Sequence, residues 1–240
     1  MAINKVVESF DEAVKDVFDG SVILVGGFVG LYTAGGTPTY LIQALVRQGA
    51  NGLTVVSNST LYTGDLCKNK QIKKGITAFP VLATSQRILP FEEQCRAGQV
   101  KVEIVPQGTL AERIRANRAG IGAFYTPVGA GTIVERGKEV RIIDGKPHLL
   151  EYPIKADFAF IRAYKADRLG NLIYRGTSRT FNATMAGAAK ITIAEVDEIV
   201  PVGELDPEAI VTPGIYVERV VVRPEEGRTK IVQKIGKGDR

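Results

Sequence analysis

The hydrophobic positions of this chain form short apolar runs that predict buried strands. The run at 22–25 stops at Gly26 and Gly27, and a second run at 53–56 leads into Ser57, Asn58 and Ser59. Unbroken apolar runs of this length are typical of strands that are covered on both faces of a parallel sheet. The same pattern predicts further strands at positions 72–80, 100–105, 157–164, 172–174, 190–196 and 215–222.

Segments with helical spacing lie between several of these strands. Apolar residues recur at helical intervals over 6–17, with Ser9 and Glu12 as a capping box, and predict an amphipathic first helix. Thr37 as the N-cap and Pro38 at the first helical position predict a second helix, which ends near Gly49.

Three more helices are predicted farther along the chain. Residues 91–96 follow Pro90, and residues 110–116 follow a capping box formed by Thr109 and Glu112. The alanine-rich segment 181–189 is the third. Strands and helices therefore alternate through most of the chain, and this order predicts an α/β fold with a mostly parallel open sheet flanked by helices.

A β-hairpin interrupts the alternation. Asp144 and Gly145 lie between two short strand patterns and predict a type I′ turn. The sole histidine, His148, lies in this hairpin without a nearby Cys or His and is predicted to be structural. The segment 119–132 is hydrophobic and punctuated by glycine, which predicts that it packs against a partner.

The connection between the first strand and the second helix is rich in glycine. Residues 26–38 contain five glycines, and the order is strand, glycine loop, helix. In an open α/β sheet this junction lies at the carboxyl edge, where glycine lets backbone N–H groups approach an anion. The loop therefore predicts an anion site. The alternative is a glycine-rich connection without a ligand.

Two neutral amides follow other predicted strands. Asn58 stands where a dinucleotide-binding unit carries an acidic residue for the ribose, which argues against a Rossmann cofactor site. Gln107 and Gly108 stand between a strand and a predicted helix start. An amide donor beside free helix N–H groups suits a carboxylate or a developing oxyanion. The alternative is a glutamine that satisfies only its own turn.

Composition and charge narrow the class of protein. The chain has 240 residues, an apolar content of 45% and two cysteines, Cys67 and Cys95, without metal-like spacing. These features favour a cytoplasmic protein with reduced thiols and no bound metal. The longest apolar runs are too short to cross a bilayer, and acidic residues interrupt the first 16 positions, so we expect neither a membrane span nor a signal peptide.

The net charge of +5 is concentrated at one end of the chain. Seven basic and three acidic residues between positions 219 and 240 contribute +4, which leaves +1 for the first 218 residues. We therefore divide the chain into one α/β domain at 1–222 and a basic tail at 223–240. A nearly neutral body without tryptophan argues against nucleic-acid binding.

Taken together, the motifs resemble one family in order along the chain. They are GGFVG at 26–30 with GTP at 36–38, VSN at 56–58, PQGTLAERIR at 106–115, AFYTP at 123–127, GN at 170–171 and VTPG at 211–214. The chain is similar to the alpha subunit of the 3-oxoacid CoA-transferases, which are family I CoA-transferases, over about residues 10–222.

The resemblance implies a function that needs two subunits. Members move CoA from an acyl-CoA, such as succinyl-CoA or acetyl-CoA, to a free acid, such as acetoacetate or 3-oxoadipate. The nucleophile implied is a glutamate of a beta subunit, in an αβ or α2β2 assembly, which passes through a glutamyl-CoA thioester with ping-pong kinetics. No catalytic residue is then expected in this chain, and CoA is a substrate with no permanently bound cofactor.

The resemblance also assigns site residues by position. Those matching the family's CoA-binding glycine motif are Gly26, Gly27, Phe28, Val29, Gly30 and Gly36. Those matching its substrate-binding positions are Asn58, Gln107 and Gly108. A CoA-ester hydrolase or ring-opening half of the same fold, and a non-catalytic anion-binding domain, are the alternatives.

The chain departs from the family pattern at three places. Its loop between Phe28 and Pro38 is longer, and the added residues 32–35 are expected to reshape the acyl or CoA pocket. The family's Arg-Asn-Phe-Asn is RTFN at 179–182, and a small glycine pair of the family is replaced by Asn117 and Arg118. Arg118 has two interpretations: it points inward and selects a dicarboxylate by charge pairing, or it is solvated.

Overall fold

The computed structural model describes residues 3–28, 36–81 and 88–228. Its α-helices are α1 (Phe10–Val14), α2 (Thr39–Gln48), α3 (Gly64–Lys68), α4 (Pro90–Arg96), α5 (Gln107–Arg118) and α6 (Asn182–Met185). Its strands are β1 (Val22–Val25), β2 (Leu53–Ser59), β3 (Ile72–Phe79), β4 (Lys101–Ile104), β5 (Phe124–Thr126), β6 (Val140–Ile143), β7 (Lys146–Glu151), β8 (Ala156–Arg162), β9 (Lys165–Asp167), β10 (Leu172–Ile173), β11 (Ala189–Val196), β12 (Glu198–Val200) and β13 (Arg219–Val222).

The main sheet confirms the predicted parallel α/β fold. Its strand order is β13-β11-β8-β1-β2-β3-β4, and every neighbouring pair is parallel. The chain moves from β1 outward through β2, β3 and β4, and then crosses to β8 on the other side of β1. The strand order therefore reverses between β1 and β8, and ligands of open α/β sheets bind at the carboxyl ends of the strands at such a point.

Helices cover both faces of this sheet. Ile23 and Val25 of β1 pack in one core cluster with residues of α1 to α4, whereas Leu24 packs in a second cluster with residues of α5 and α6. Side chains of one strand alternate between the faces, so the apolar run at 22–25 supplies both cores. This explains why the predicted strand is apolar at every position.

The predicted bounds of two helices and of the last strand were wrong. Val6 forms a parallel bridge with Val220, so α1 begins only at Phe10, although the Ser9 side chain accepts from the Glu12 N–H as predicted. The helix predicted at 181–189 is the single turn α6, followed by Gly187 at a φ of 74°. The last strand is short because Gly214–Tyr216 forms a 3₁₀ turn.

The inserted hairpin is confirmed and belongs to a small antiparallel sheet. Strands β6 and β7 pair through Ile143 and Lys146, with β5 on the other edge of β7. Asp144 and Gly145 have φ values of 49° and 74°, as a type I′ turn requires. No residue of 119–132 is fully buried within this chain, so the predicted partner contact of that segment stays a prediction.

Candidate functional site

The candidate site lies at the carboxyl edge of the main sheet. Gly26, Gly27 and Phe28 follow β1, Asn58 lies near the end of β2, and Gln107 is the first residue of α5 after β4. Parallel strands end at the same edge, so the three segments converge although β3 separates β2 from β4. The predicted positions Val29 and Gly30, and the longer connection at 32–35, lie outside the described residues.

The two predicted amides are in direct contact. The Nε2 of Gln107 donates to the Oδ1 of Asn58 at 2.8 Å, and the Nδ2 of Asn58 donates to the backbone oxygen of Phe28 at 3.3 Å. Asn58 is buried, whereas Gln107 is partly exposed. Within the described ranges, the Gln107 Oε1 and the second Nε2 hydrogen have no protein partner. Asn58 therefore holds a glutamine whose remaining polar atoms can meet a ligand.

The start of α5 is open. The predicted capping box was wrong: among the described residues no side chain caps the helix, and Glu112 pairs with Arg115 at 2.7 Å. The Thr109 hydroxyl is buried and has no hydrogen-bond partner among the described residues. Gly108 is exposed, with open space where a Cβ would point. The free amides of the first turn beside Gln107 thus form a donor group that suits an anionic oxygen.

The start of α2 is closed by the protein itself. The predicted Thr37 cap was wrong, since Pro38 is the N-cap residue and no side-chain bond comes from it. Instead, the Oε2 of Glu195 on β11 accepts from the N–H groups of Tyr40 and Leu41, each at 3.0 Å. An anion at this helix start would compete with Glu195. The open start of α5 is therefore the better anion site of the two.

Sequence reasoning missed Glu195, and one signal pointed to it. A glutamate within the apolar strand pattern 190–196 is buried with the strand, and a buried charge needs partners. The partner is Arg223, whose Nη1 lies 2.8 Å from the Glu195 Oε1 and whose guanidinium lies over the Tyr40 ring. Arg223 was assigned to the basic tail, but its side chain is buried. The division of the chain at residue 222 stays a prediction.

The pKa of Glu195 leads to a prediction about stability. Burial raises this pKa to about 7 from an ordinary value of 4.5, against the lowering effects of Arg223 and the two helix amides. The folded state then retains a proton that the unfolded state releases. We expect the contribution of Glu195 to the free energy of unfolding to decrease between about pH 4.5 and about pH 7 and to stay level above.

Urea unfolding of the natural chain and of Glu195→Gln, measured at several pH values in this range, checks the prediction. The stability of the natural chain relative to the variant should fall as the pH rises, because contributions of other groups cancel in the difference. Parallel pH profiles for the two proteins would show that Glu195 does not bind the extra proton.

Two of the glycines are required by the packing of the chain itself. A Cβ on Gly26 would lie 1.8 Å from the Oδ1 of Asn182, and one on Gly36 would lie 2.2 Å from the backbone oxygen of Ser178. Gly36 also has a φ of 68°, which favours glycine. These two positions therefore need glycine whether or not a ligand is bound. Phe28 is exposed, and its ring stacks on Phe181 with centroids 6.3 Å apart.

Arg118 lies far from the two amides. It ends α5, whereas Gln107 begins this helix of 12 residues, so the two backbones are about 16 Å apart at 1.5 Å per residue. The Arg118 Nη1 donates to the backbone oxygen of Ala183 at 3.0 Å, and its guanidinium lies 3.8 Å from the centre of the Tyr216 ring. The Arg118 side chain is thus partly exposed and packs against Ala183 and Tyr216 at the far end of α5, and both interpretations of its role stay predictions.

Other chemistry-bearing residues lie outside this site. The His148 Nδ1 is 2.9 Å from the backbone oxygen of Lys146, and no group of three potential metal ligands occurs in the described part of the chain. Burial raises the pKa of Cys67 to about 11 and also raises that of Cys95, so both thiols are poor nucleophiles. Among the helices described, none is long and apolar enough to cross a membrane.

Comparison with known proteins adds an independent finding. Residues 7–223 match the family model described as Coenzyme A transferase. The A-type subunit of 3-oxoadipate CoA-transferase from Pseudomonas putida is 46% identical over 237 residues, which covers 97% of this chain and 100% of that protein. The A-type subunit of succinyl-CoA:3-ketoacid coenzyme A transferase from Helicobacter pylori is 47% identical over 222 residues, covering 91% of this chain and 92% of that protein.

Solved structures share the fold. The acyl-CoA transferase of Escherichia coli O157:H7 superposes with a TM-score of 0.79 at 22% identity and covers 92% of this chain. The match covers 47% of that chain, so the present protein spans about half of its length.

Proposed function

The chain belongs to the coenzyme A transferase family, and from this premise we propose that it is the A-type half of an enzyme that moves CoA between an acyl-CoA and a free 3-oxoacid. The acyl donor is of the succinyl-CoA or acetyl-CoA class, and the acceptor is an acid such as acetoacetate or 3-oxoadipate. The names of the relatives support this substrate class, and their designation as A-type subunits supports a B-type partner.

The main support for the proposal is the contact between Gln107 and Asn58 beside the open start of α5. Attack on a thioester carbonyl places negative charge on its oxygen, and fixed neutral donors stabilise that charge without reorganisation. Gln107 offers one Nε2 hydrogen, and the adjacent free amides of α5 offer others. A neutral donor group also binds the carboxylate product without the strong retention that a cation would cause.

The attacking carboxylate comes from the partner. The side-chain hydrogen bonds of Gln107 and Asn58 in the described ranges join the two residues to each other and to the backbone oxygen of Phe28, and none goes to a carboxylate. The partner's glutamate attacks the acyl-CoA carbonyl, and the C–S bond breaks to give an acyl-glutamyl anhydride and CoA thiolate. The thiolate attacks the glutamyl carbonyl and releases the free acid, which leaves a glutamyl-CoA thioester. The acceptor acid reverses both steps.

Trapping the glutamyl-CoA thioester tests which of the two subunits supplies the nucleophile. The chain is co-purified with its B-type partner, incubated with succinyl-CoA and reduced with borohydride, and both chains are mapped by mass spectrometry. We expect one reduced glutamate, in the partner only, and no CoA transfer by this chain alone. A reduced residue in this chain, or rapid transfer without the partner, would contradict the proposal. Hydrolysis of succinyl-CoA without exchange of label into the acid would favour the hydrolase alternative.

A further inference from the structure

A cavity of about 400 Å³ lies at the end of α5, away from the two amides. Its walls include Arg115 and Arg118 of α5, Ala183 and Thr184 of α6, and Tyr216. A volume of this size is typical of sites that bind a small molecule or one part of a larger ligand. Every residue that lines the cavity belongs to the described part of the chain, so its charges can be compared directly.

The cavity carries an excess of positive charge. Arg115 pairs with Glu112 at 2.7 Å, whereas Arg118 forms no ion pair with a described residue. The Arg118 Nη1 donates to the backbone oxygen of Ala183 at 3.0 Å, and its other N–H groups have no partner in the described ranges. Its guanidinium lies over the Tyr216 ring, 3.8 Å from the ring centre. A planar cation that is held in place and has free donors suits a phosphate group.

Arg179 adds a second cation close to this cavity. Burial raises the pKa of the Tyr174 hydroxyl to about 12, against the lowering effects of its hydrogen bond to Thr212 and of the charges of Arg118 and Arg179. Both guanidinium groups therefore lie within electrostatic reach of one hydroxyl. Arg179 is exposed, and its side chain has no ion pair among the residues that the structure describes. Two cations without a carboxylate partner in these ranges favour an anionic ligand.

Arg118 lies on the same side of α5 as Gln107. At about 100° per residue, the 118 − 107 = 11 steps between them leave the two side chains about 20° apart around the helix axis. Gln107, Ala111 and Arg118 are all partly exposed, whereas Leu110 and Ile114 are fully buried in the core. The backbones of Gln107 and Arg118 are about 16 Å apart, and the small side chain of Ala111 lies between them. One edge of α5 therefore connects the donor group with the cavity.

An aromatic pair lies between these two ends. The backbone oxygen of Phe28 accepts from Asn58 beside the donor group, and the Phe28 side chain is exposed. The Phe28 ring stacks on Phe181 with centroids 6.3 Å apart. Phe181 immediately precedes α6, which forms one wall of the cavity. A partly apolar surface thus separates neutral donors at one end from cations at the other.

We propose that this cavity binds the phosphate groups of acyl-CoA while the thioester lies at Gln107. The chain of bonds from the sulfur of CoA to its nearest phosphorus is as long as four to five residues of extended polypeptide, or about 15 Å. This length matches the separation of about 16 Å between Gln107 and Arg118. The uncharged arm of CoA would then pass the exposed Phe28 ring. The inference rests on the proposed function, which places the thioester at Gln107.

The test compares Arg118→Ala with the natural chain, each in complex with the B-type partner. The substrates are succinyl-CoA and succinyl-pantetheine, which has the same thioester and no phosphate. We expect kcat/KM for succinyl-CoA to fall about tenfold or more, because a charge-assisted hydrogen bond is lost, and kcat/KM for succinyl-pantetheine to stay within about twofold. The Kd of free CoA, measured by calorimetry, should rise by a similar factor. Arg118→Lys keeps the charge without the planar fork and should recover part of the loss.

Arg96→Ala is the matched control. Arg96 also ends a helix, α4, and pairs with Glu92 at 2.7 Å. Helix α4 packs in the core cluster on the other face of the sheet from α5. The control variant should therefore keep the natural kcat/KM for both substrates.

Three results would overturn the inference. Equal losses with the two substrates would place the effect of Arg118 at the acyl end or in the fold. An unchanged kcat/KM for succinyl-CoA would show that CoA does not use the cavity. A loss that follows weaker association of the two chains would make Arg118 a contact with the B-type partner. If the natural complex transferred no CoA, the proposed function would fail, and calorimetry with free CoA would still test the cavity.

Discussion

Replacement of Gln107 by alanine is expected to lower kcat by about 10²- to 10³-fold, which is the typical cost of removing one donor from an oxyanion site. The Gln107 Nε2 is held by the Asn58 Oδ1 at 2.8 Å, so its second hydrogen has a fixed direction. The charge on the thioester oxygen develops only in the transition state. The loss should therefore appear mainly in kcat, with a smaller change in KM. Steady-state CoA transfer by the two-chain complex measures both.

A measurement of stability distinguishes the loss of the oxyanion donor in Gln107→Ala from misfolding of the variant. Gln107 is partly exposed and makes one side-chain hydrogen bond with a described residue, so the variant should unfold at nearly the same urea concentration as the natural chain. Gln43→Ala is the matched control, because Gln43 lies on the exposed face of α2. If Gln107→Ala transfers CoA within about threefold of the natural rate, Gln107 is only a turn residue and the oxyanion assignment fails.

The sequence predicted the sheet well because local pattern and tertiary environment agree there. Strands β1 and β2 are covered on both faces, and their apolar runs carry that information directly. Asn58 and Gln107 were each predicted to follow a strand. Their direct contact across the end of β3 depends on the strand order, which the pattern does not contain.

The predicted helix caps at Thr37 and Thr109 were wrong because local pattern and tertiary environment disagree there. A capping motif such as Thr109 with Glu112 describes only neighbours along the chain. In the fold, the Thr109 side chain is buried and Glu112 pairs with Arg115. The helix α2 is capped by Glu195, which is 155 residues away from Tyr40 along the chain. No local pattern connects such positions, although a glutamate within an apolar strand signals that some partner exists.

The glycine loop was predicted in part from the local pattern, and in part it depends on contacts that the pattern does not contain. Its glycines were interpreted as room for a ligand, and the structure adds a second cause at Gly26 and Gly36, where Asn182 and Ser178 occupy the space of a Cβ. This cause could not be predicted because Asn182 comes from a different part of the chain. The two causes are compatible, because the contacts with Asn182 and Ser178 concern only the two ends of the loop.

Gly26→Ala is expected to lower both the stability of the chain and its activity strongly. Its Cβ would overlap the Asn182 Oδ1 at 1.8 Å, far inside any permitted contact, with the backbone oxygen of Phe160 at 3.4 Å on another side. Overpacking of this kind costs about 1–3 kcal/mol, and each buried polar group that loses its partner when Asn182 moves adds about 1–3 kcal/mol. We expect the free energy of unfolding to fall by about 3–5 kcal/mol and CoA transfer to be nearly lost.

Two comparisons test whether the overlap with Asn182 causes the loss: a control substitution at Gly64, and Gly26→Ala combined with Asn182→Ala. Gly64 begins α3 with helical φ and ψ and open space around its Cβ direction, so Gly64→Ala should be neutral or slightly stabilising. In the Asn182→Ala background the overlapping oxygen is absent, so Gly26→Ala should cost much less there than in the natural chain. Urea unfolding of the four proteins in this cycle gives the coupling energy between the two positions. Additive costs would mean that Gly26 is needed for some reason other than Asn182, and the loop would then have to be anchored elsewhere.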